Sequence, residues 1–229
     1  MRLDKMLSNS GVGSRKDIKA LVKSGAVTVN GTVATKSDVH IDENKDEICV
    51  NGNLINYQKY IYLMLNKPQG YVSATEDFKY PTVIDLVPQE YRHYNLFPVG
   101  RLDIDTEGLL ILTNDGAYAH DMLSPKKHVY KTYYAELDIE PTTEDTDAFK
   151  NGITIDGGYT CKSAELTILK GDTPCALVKI CEGKFHQVKL MFKAVGKTVT
   201  YLKRIKFAEF DLPDDLPLGE VIEVNIERE

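Results

Sequence analysis

The stretch YNLFPVGRLDIDTEGLLILTNDG, Tyr94 to Gly116, sets an acidic loop directly before an apolar run. Leu109 to Leu112 are uninterrupted hydrophobes between Gly108 and the Asn114-Asp115-Gly116 cluster, the pattern of a strand ending in an Asp-Gly turn. Ahead of that strand stand Arg101, Asp103, Asp105 and Glu107. Three readings of the acids compete. Asp103, Asp105 and Glu107 before Gly108 loosely suit the opening of a calcium-binding EF-hand loop. The twelfth position, which must supply a bidentate glutamate, is Asn114, and an apolar strand runs where the loop would continue. Alternatively, Asp103 and Asp105 bond nearby backbone amides and only shape a turn. The third reading is that one carboxylate does chemistry.

Outward from this stretch, strand patterns recur. YIYLMLNKPQGYVSAT (Tyr60 to Thr75) reads as a strand, a turn around Lys67-Pro68-Gln69-Gly70 and a second strand. KTYYAELDI (Lys131 to Ile139) and CALVKIC (Cys175 to Cys181) read as further strands. In HQVKLMFKAVG (His186 to Gly196), Val188, Met191, Phe192 and Val195 fall at helical spacing and Gly196 stops the run, which predicts the principal helix of this part. Many strands with few helices give an α+β class. EPTTEDTD (Glu140 to Asp147) and the tail from Glu209 onward are acidic and are placed on the surface.

The first sixty residues differ in character. Leu3, Met6 and Leu7 predict a short helix that Gly11 ends; Ser14 caps a second, with Ile18, Leu21 and Val22 inward and Gly25 at its end. VTVNGTVA then brackets Asn30-Gly31 with alternating apolar residues, a hairpin signal with a type I′ turn. On the second helix Arg15, Lys16, Lys19 and Lys23 lie opposite the apolar stripe, forming a basic wall suited to a phosphate backbone. The polar run GNLINYQK, Gly52 to Lys59, marks a junction, giving domains 1–58 and 59–229.

Composition narrows the class. The 229 residues are 42% hydrophobic, without a signal-peptide stretch or an apolar run long enough to span a bilayer, so a cytoplasmic, membrane-free protein is expected. Four cysteines without a CxxC pair point to reduced thiols rather than a disulfide frame or a zinc site. The net charge is −6, but the first sixty residues carry +2 and the remainder −8. Arg2 to Gly31 hold six basic residues against two acids, and Lys184 to Ala208 hold seven basic residues and no acid. A ligand meets the local potential, so such patches can engage phosphates on an acidic protein; solvated helix faces are the plain alternative.

Two resemblances follow from these motifs. SRKDIKALVKSGAVTVNG, Ser14 to Gly31, resembles the S4 RNA-binding domain, two helices on a small sheet, whose basic second helix grips structured RNA. That resemblance implies RNA contacts at Arg2, Arg15, Lys16, Lys19 and Lys23. The Tyr94 to Gly116 stretch resembles the signature of pseudouridine synthases of the RsuA type, supported in order by HVYKTYYAEL (His128 to Leu137) and EGKFHQVKLMF (Glu182 to Phe192). The family implies a larger, mixed and mainly antiparallel sheet with flanking helices. It also implies isomerisation of a uridine in rRNA to pseudouridine, without a cofactor.

Within the family, this chain looks most like the enzymes of the small ribosomal subunit. The expected partner is therefore 16S rRNA in an assembling particle, engaged by a monomer. By motif position, Asp103 is the nucleophile. Lys189 is the cation paired with it, although a lone helical lysine would ordinarily face solvent. Tyr133, in the Lys-x-Tyr register, packs on the target base, unlike Tyr130 and Tyr134, which read as ordinary strand tyrosines. The target must leave its stack at a cost of a few kcal/mol, and Arg101 is assigned to the vacated space, with a surface Arg-Asp pair as the alternative. Asp105 and Thr106 shape the loop, and His186 reads as structural. Leu190 stands where the family often has a second basic residue, which bears on substrate identity.

Overall fold

The computed structural model describes residues 1–226; Glu227 to Glu229, the end of the acidic tail, lie outside the described residues. Contacts divide the chain into two units, Met1–Ile61 with Pro88–Leu96, and the rest.

In the first unit, α1 (Leu3–Asn9) and α2 (Arg15–Lys23) are joined through Gly11 at φ 74°. Ser14 caps α2 by accepting from the Asp17 amide while Asp17 accepts from the Ser14 amide, so two of the helix's orphan donors are satisfied reciprocally. Val27–Val29 and Thr32–Val33 form the hairpin around Asn30 and Gly31, both at positive φ as a type I′ turn requires. Ile48–Val50 and Asn53–Leu54 complete a four-stranded sheet. Leu3, Leu7, Ile18, Val27 and Ile48 fill the core between helices and sheet.

The second unit is built on nine strands in one sheet. Seven run in the order Glu165–Leu169, Cys175–Ile180, Lys131–Leu137, Val199–Phe207, Glu107–Thr113, Tyr62–Lys67, Val221–Glu223; Phe97–Pro98 and Phe210–Asp211 pair at its sides. Every pairing is antiparallel except one. Val199–Phe207 meets Glu107–Thr113 in parallel over only Lys203↔Glu107 and Arg204↔Gly108. This short seam joins two antiparallel halves. Gly108 makes the approach possible: its φ is 101°, and a Cβ there would lie 2.2 Å from the Arg204 carbonyl oxygen.

Three helices flank the sheet, α3 (Gly116–Leu123), α4 (Thr143–Asn151) and α5 (Gln187–Ala194). They correct several expectations. The Asp115-Gly116 pair is not a hairpin turn: Asp115 caps α3, accepting from the Ala117 and Tyr118 amides. α5 is no longer than α3, and it ends at Ala194, so Val195 lies beyond it. The second strand expected at YVSAT is a loop with one bridge, Val72 to Thr82. The acidic segment at Glu140 to Asp147 is not all surface: Asp145 is buried and paired with buried Lys197 at 2.6 Å. Lys197 and Arg204, both buried, also subtract from the basic surface expected over Lys184 to Ala208. All four cysteines are free.

Candidate active site

Asp103 sits in the loop between Phe97–Pro98 and Glu107–Thr113, and the loop is held by buried groups. Lys67, at the end of its strand, is fully buried and donates to the carbonyls of Pro68 (3.0 Å), Asp103 (3.1 Å) and Thr106 (2.9 Å). An ammonium taken out of water costs several kcal/mol unless it is compensated, and charge-assisted hydrogen bonds of about 1.5–3 kcal/mol each offset that. Burial brings Lys67 down to about 8, against the opposing pull of Asp105 and Asp103. Ser73 Oγ accepts from the Leu102 amide and donates to the Leu102 carbonyl, both at 3.0 Å, and the Thr106 amide closes a turn onto the Asp103 carbonyl. Neither Lys67 nor Ser73 stands out in the sequence.

Lys189 reaches this loop from α5. Its Nζ donates to Asp103 Oδ2 at 3.1 Å and to Asp105 Oδ1 at 2.5 Å. Burial alone would lower the Lys189 pKa, but the hydrogen bonds to Asp105 and Asp103 outweigh it and raise it. Asp105 is in turn held below its ordinary value by Lys189, against burial that would raise it. The two acids therefore converge on an ammonium, and Asp105, expected only to shape the turn, shares Lys189 with Asp103. α5 is anchored for this role. Val188, Met191 and Phe192 are buried, and Gln187 accepts from the Lys184 amide and donates to Glu182, closing the loop before the helix. His186, expected to be structural, lies with Nε2 3.6 Å from Asp103 Oδ1. It holds a left-handed φ of 50° and stacks on the exposed Phe185 ring at 3.7 Å.

Tyr133 is 8% exposed and lines the same pocket as Asp103, with Arg101, Thr106, Lys184 and His186. Alternation along its strand sends Tyr134 to the other face, against Tyr201. Arg101 is exposed and makes no ion pair among the described residues, so the Arg-Asp alternative is absent there. Leu190 is half-buried on α5.

In the first unit, Arg15, Lys16, Lys19 and Lys23 are exposed along α2. A groove brings Lys19 and Lys23 together with Arg2 and with Lys36, which the sequence pattern does not single out; Arg15 and Lys16 do not line it. Arg2 is partly committed, donating twice to buried Asp4 (3.0 and 2.6 Å) and holding that carboxyl below its ordinary range. Among the described residues no helix is long and apolar enough to cross a membrane, and no group of three or more acids, histidines or cysteines could hold a metal.

Two helices on a small sheet, joined to a mixed-sheet unit in which a loop-borne carboxylate is bonded to a lysine beside a buried tyrosine, form the arrangement expected of an RNA-modifying isomerase. The comparisons agree: residues 61–194 match RNA pseudouridylate synthase and residues 1–48 match the S4 domain. An uncharacterized RNA pseudouridine synthase of Bacillus subtilis is 48% identical, covering 100% of this chain and 96% of the relative. The ribosomal small subunit pseudouridine synthase A of Pasteurella multocida is 38% identical (100% and 97% covered), and the ribosomal large subunit pseudouridine synthase B of Bacillus subtilis is 38% identical (92% and 87%). The chain belongs to the RNA pseudouridine synthase family, and it is an isomerase that acts on RNA.

Proposed function

We propose that this enzyme converts a uridine of small-subunit (16S) rRNA to pseudouridine, with Asp103 as the nucleophile. The observation that carries the reading is the Asp103 carboxylate bonded to Lys189 at 3.1 Å in the pocket that Tyr133 lines. The bond between ribose C1′ and uracil N1 breaks, the uracil turns while held, and C1′ bonds to C5; C5 gives up its proton and N1 gains one, so nothing is oxidised. Asp103 acts on the ribose, Lys189 holds its carboxylate in place, and the Tyr133 ring packs on the uracil. Arg101 fills the stack that the flipped nucleotide leaves. Lys67 is a positioning residue that fixes the Asp103 backbone.

Residues 1–58 are proposed as the capture domain, with Arg2, Arg15, Lys16, Lys19 and Lys23 on RNA phosphates, and residues 59–229 as the catalytic domain. The monomer works in the cytoplasm on RNA of an assembling ribosomal particle. The small-subunit assignment is supported by the fuller coverage of the small-subunit relative, the two identities being equal. The test maps pseudouridines in both rRNAs of a strain lacking the gene, then complemented with wild type or Asp103→Asn. One small-subunit site is expected to vanish and to return only with wild type. A site lost in the large subunit alone would overturn the substrate, and restoration by Asp103→Asn would overturn the nucleophile.

A further inference from the structure

A second, larger cavity of about 420 Å³ adjoins the Asp103 pocket and shares Arg101, Tyr133 and Lys184 with it. Its size falls in the ~300–1,000 Å³ span of small-molecule sites. Five cations line it, Arg101, Lys131, Lys162, Lys184 and Arg204, against one carboxylate, Glu182. That carboxylate is already engaged, accepting from Tyr159 Oη, the Lys162 amide and Gln187 Nε2, each at 2.8 Å. The cavity is thus a positive recess beside the reacting centre.

Arg204 gives it a specific demand. The residue is 3% exposed; Nε donates to the Leu109 carbonyl at 2.7 Å and the guanidinium packs on the Phe207 ring at 4.8 Å, but Nη2 is buried with no partner. An unpaired charged donor in the interior is costly, and a bound anion is one of the ways such a group is satisfied. Beside it, Lys131 bonds the Val129 carbonyl at 2.7 Å. Burial, then the neighbouring Arg204, brings Lys131 down to about 8, a burden that an anion between the two cations would lift. A forked guanidinium next to an ammonium matches the several acceptor oxygens of a phosphate.

We propose that this cavity is a phosphodiester subsite, in which Arg204 and Lys131 take the phosphate of the nucleotide next to the target uridine. The inference rests on the reading of the Asp103 pocket as the uridine site. It gives the lysine of the Lys-x-Tyr element a role separate from that of the tyrosine. Tyr133 faces the target base and Lys131 the neighbouring backbone, two residues apart on one face of one strand.

The test titrates the full-length protein with uridine trinucleotides carrying a neutral methylphosphonate at one linkage. Wild type is expected to bind one of the two neutralised trinucleotides about tenfold more weakly than the all-phosphate parent. Lys131→Gln should lose that discrimination and Lys131→Arg keep it. Lys131 is chosen because Arg204→Lys could disturb the sheet. Indifference of wild type to both neutral linkages overturns the proposal, as does unchanged discrimination in Lys131→Gln, or no saturable binding at millimolar trinucleotide. Competition by inorganic phosphate without any linkage effect would identify a free-anion site and overturn it too. Asp103→Asn, assayed alongside for pseudouridine formation, reports separately on the catalytic reading: activity in that variant would sink the reading whatever the linkages do.

Discussion

The Asp103 loop and helix α2 use charge in opposite ways. Around Asp103 the charges come from far apart in sequence, Lys67 buried and Asp103 and Lys189 half-buried, and are tied to named atoms: Lys67 to the Pro68, Asp103 and Thr106 carbonyls, Lys189 to two carboxylates. On α2, Arg15, Lys16, Lys19 and Lys23 come from a single short helix and stand in solvent. Attraction to a phosphate backbone is long-ranged and tolerant of position, whereas chemistry at a ribose requires placement to within a fraction of an ångström. On the proposed reading, one region works by the sum of its charges and the other by their particular partners.

That contrast predicts how each region fails. The largest effect is expected at Asp103: Asp103→Asn, nearly isosteric, should lower kcat at least about a thousandfold while RNA affinity and thermal midpoint stay close to wild type. A midpoint that falls with the activity would point to a structural role instead. Lys67→Met comes next. It removes the donor to the half-buried Pro68 and Asp103 carbonyls and to the buried Thr106 carbonyl, the last at about 1–3 kcal/mol, so the midpoint should drop by several degrees and kcat about a hundredfold, with KM little changed. Full activity in this variant would detach Lys67 from the positioning of Asp103.

On α2 the loss should be graded. Replacing Arg15, Lys16 and Lys19 with Gln is expected to weaken RNA binding about tenfold or more and to flatten its salt dependence by a slope of about 2, with kcat intact. Unchanged affinity would mean that α2 is not the anchor. The smallest effect is a pH dependence of stability. Lys67 and Lys131 sit near 8 in the folded chain against an ordinary 10.5, so between those values the unfolded chain binds more protons. Their cost to stability is fully present below pH 8 and is relieved as pH rises toward 10.5. Urea unfolding should therefore show the stability of wild type relative to Lys131→Met rising as pH goes from about 8 to about 10; a pH-independent difference would contradict it.

The same contrast explains what could be read from the chain. The first unit is locally encoded: the Ser14 cap, the Ile18 and Val22 stripe and the Asn30-Gly31 turn each lie within one element and appear as read. Asp103 and Lys189 were reachable because their motifs carry recognisable neighbours. Lys67 was not, because a lysine ending an apolar strand before a proline looks like a surface turn, and the carbonyls that bury it come mostly from 36 to 39 residues further on. The Asp145 to Lys197 pair fails for the same reason. Asp115 is a different kind of miss: Asp-Gly fits a hairpin and a helix cap equally, and the deciding signal, Tyr118, Ala119 and Met122 buried at helical spacing, stood just downstream.

The two-residue parallel seam at Gly108 and Arg204 has a consequence for how the enzyme comes into being. Asp103 and Lys67 belong to the half that contains Glu107–Thr113; Tyr133 and Lys189 belong to the half that contains Val199–Phe207. Apart from Val221–Glu223, which returns from the far end of the chain to pair with Tyr62–Lys67, the strands within each half pair over shorter sequence separations than the seam, which bridges about a hundred residues and carries a high entropic toll, so its closure is expected late in folding. Until then Asp103 does not face Lys189. An unfinished chain would be catalytically silent, and the competence to modify RNA becomes a report that folding is complete.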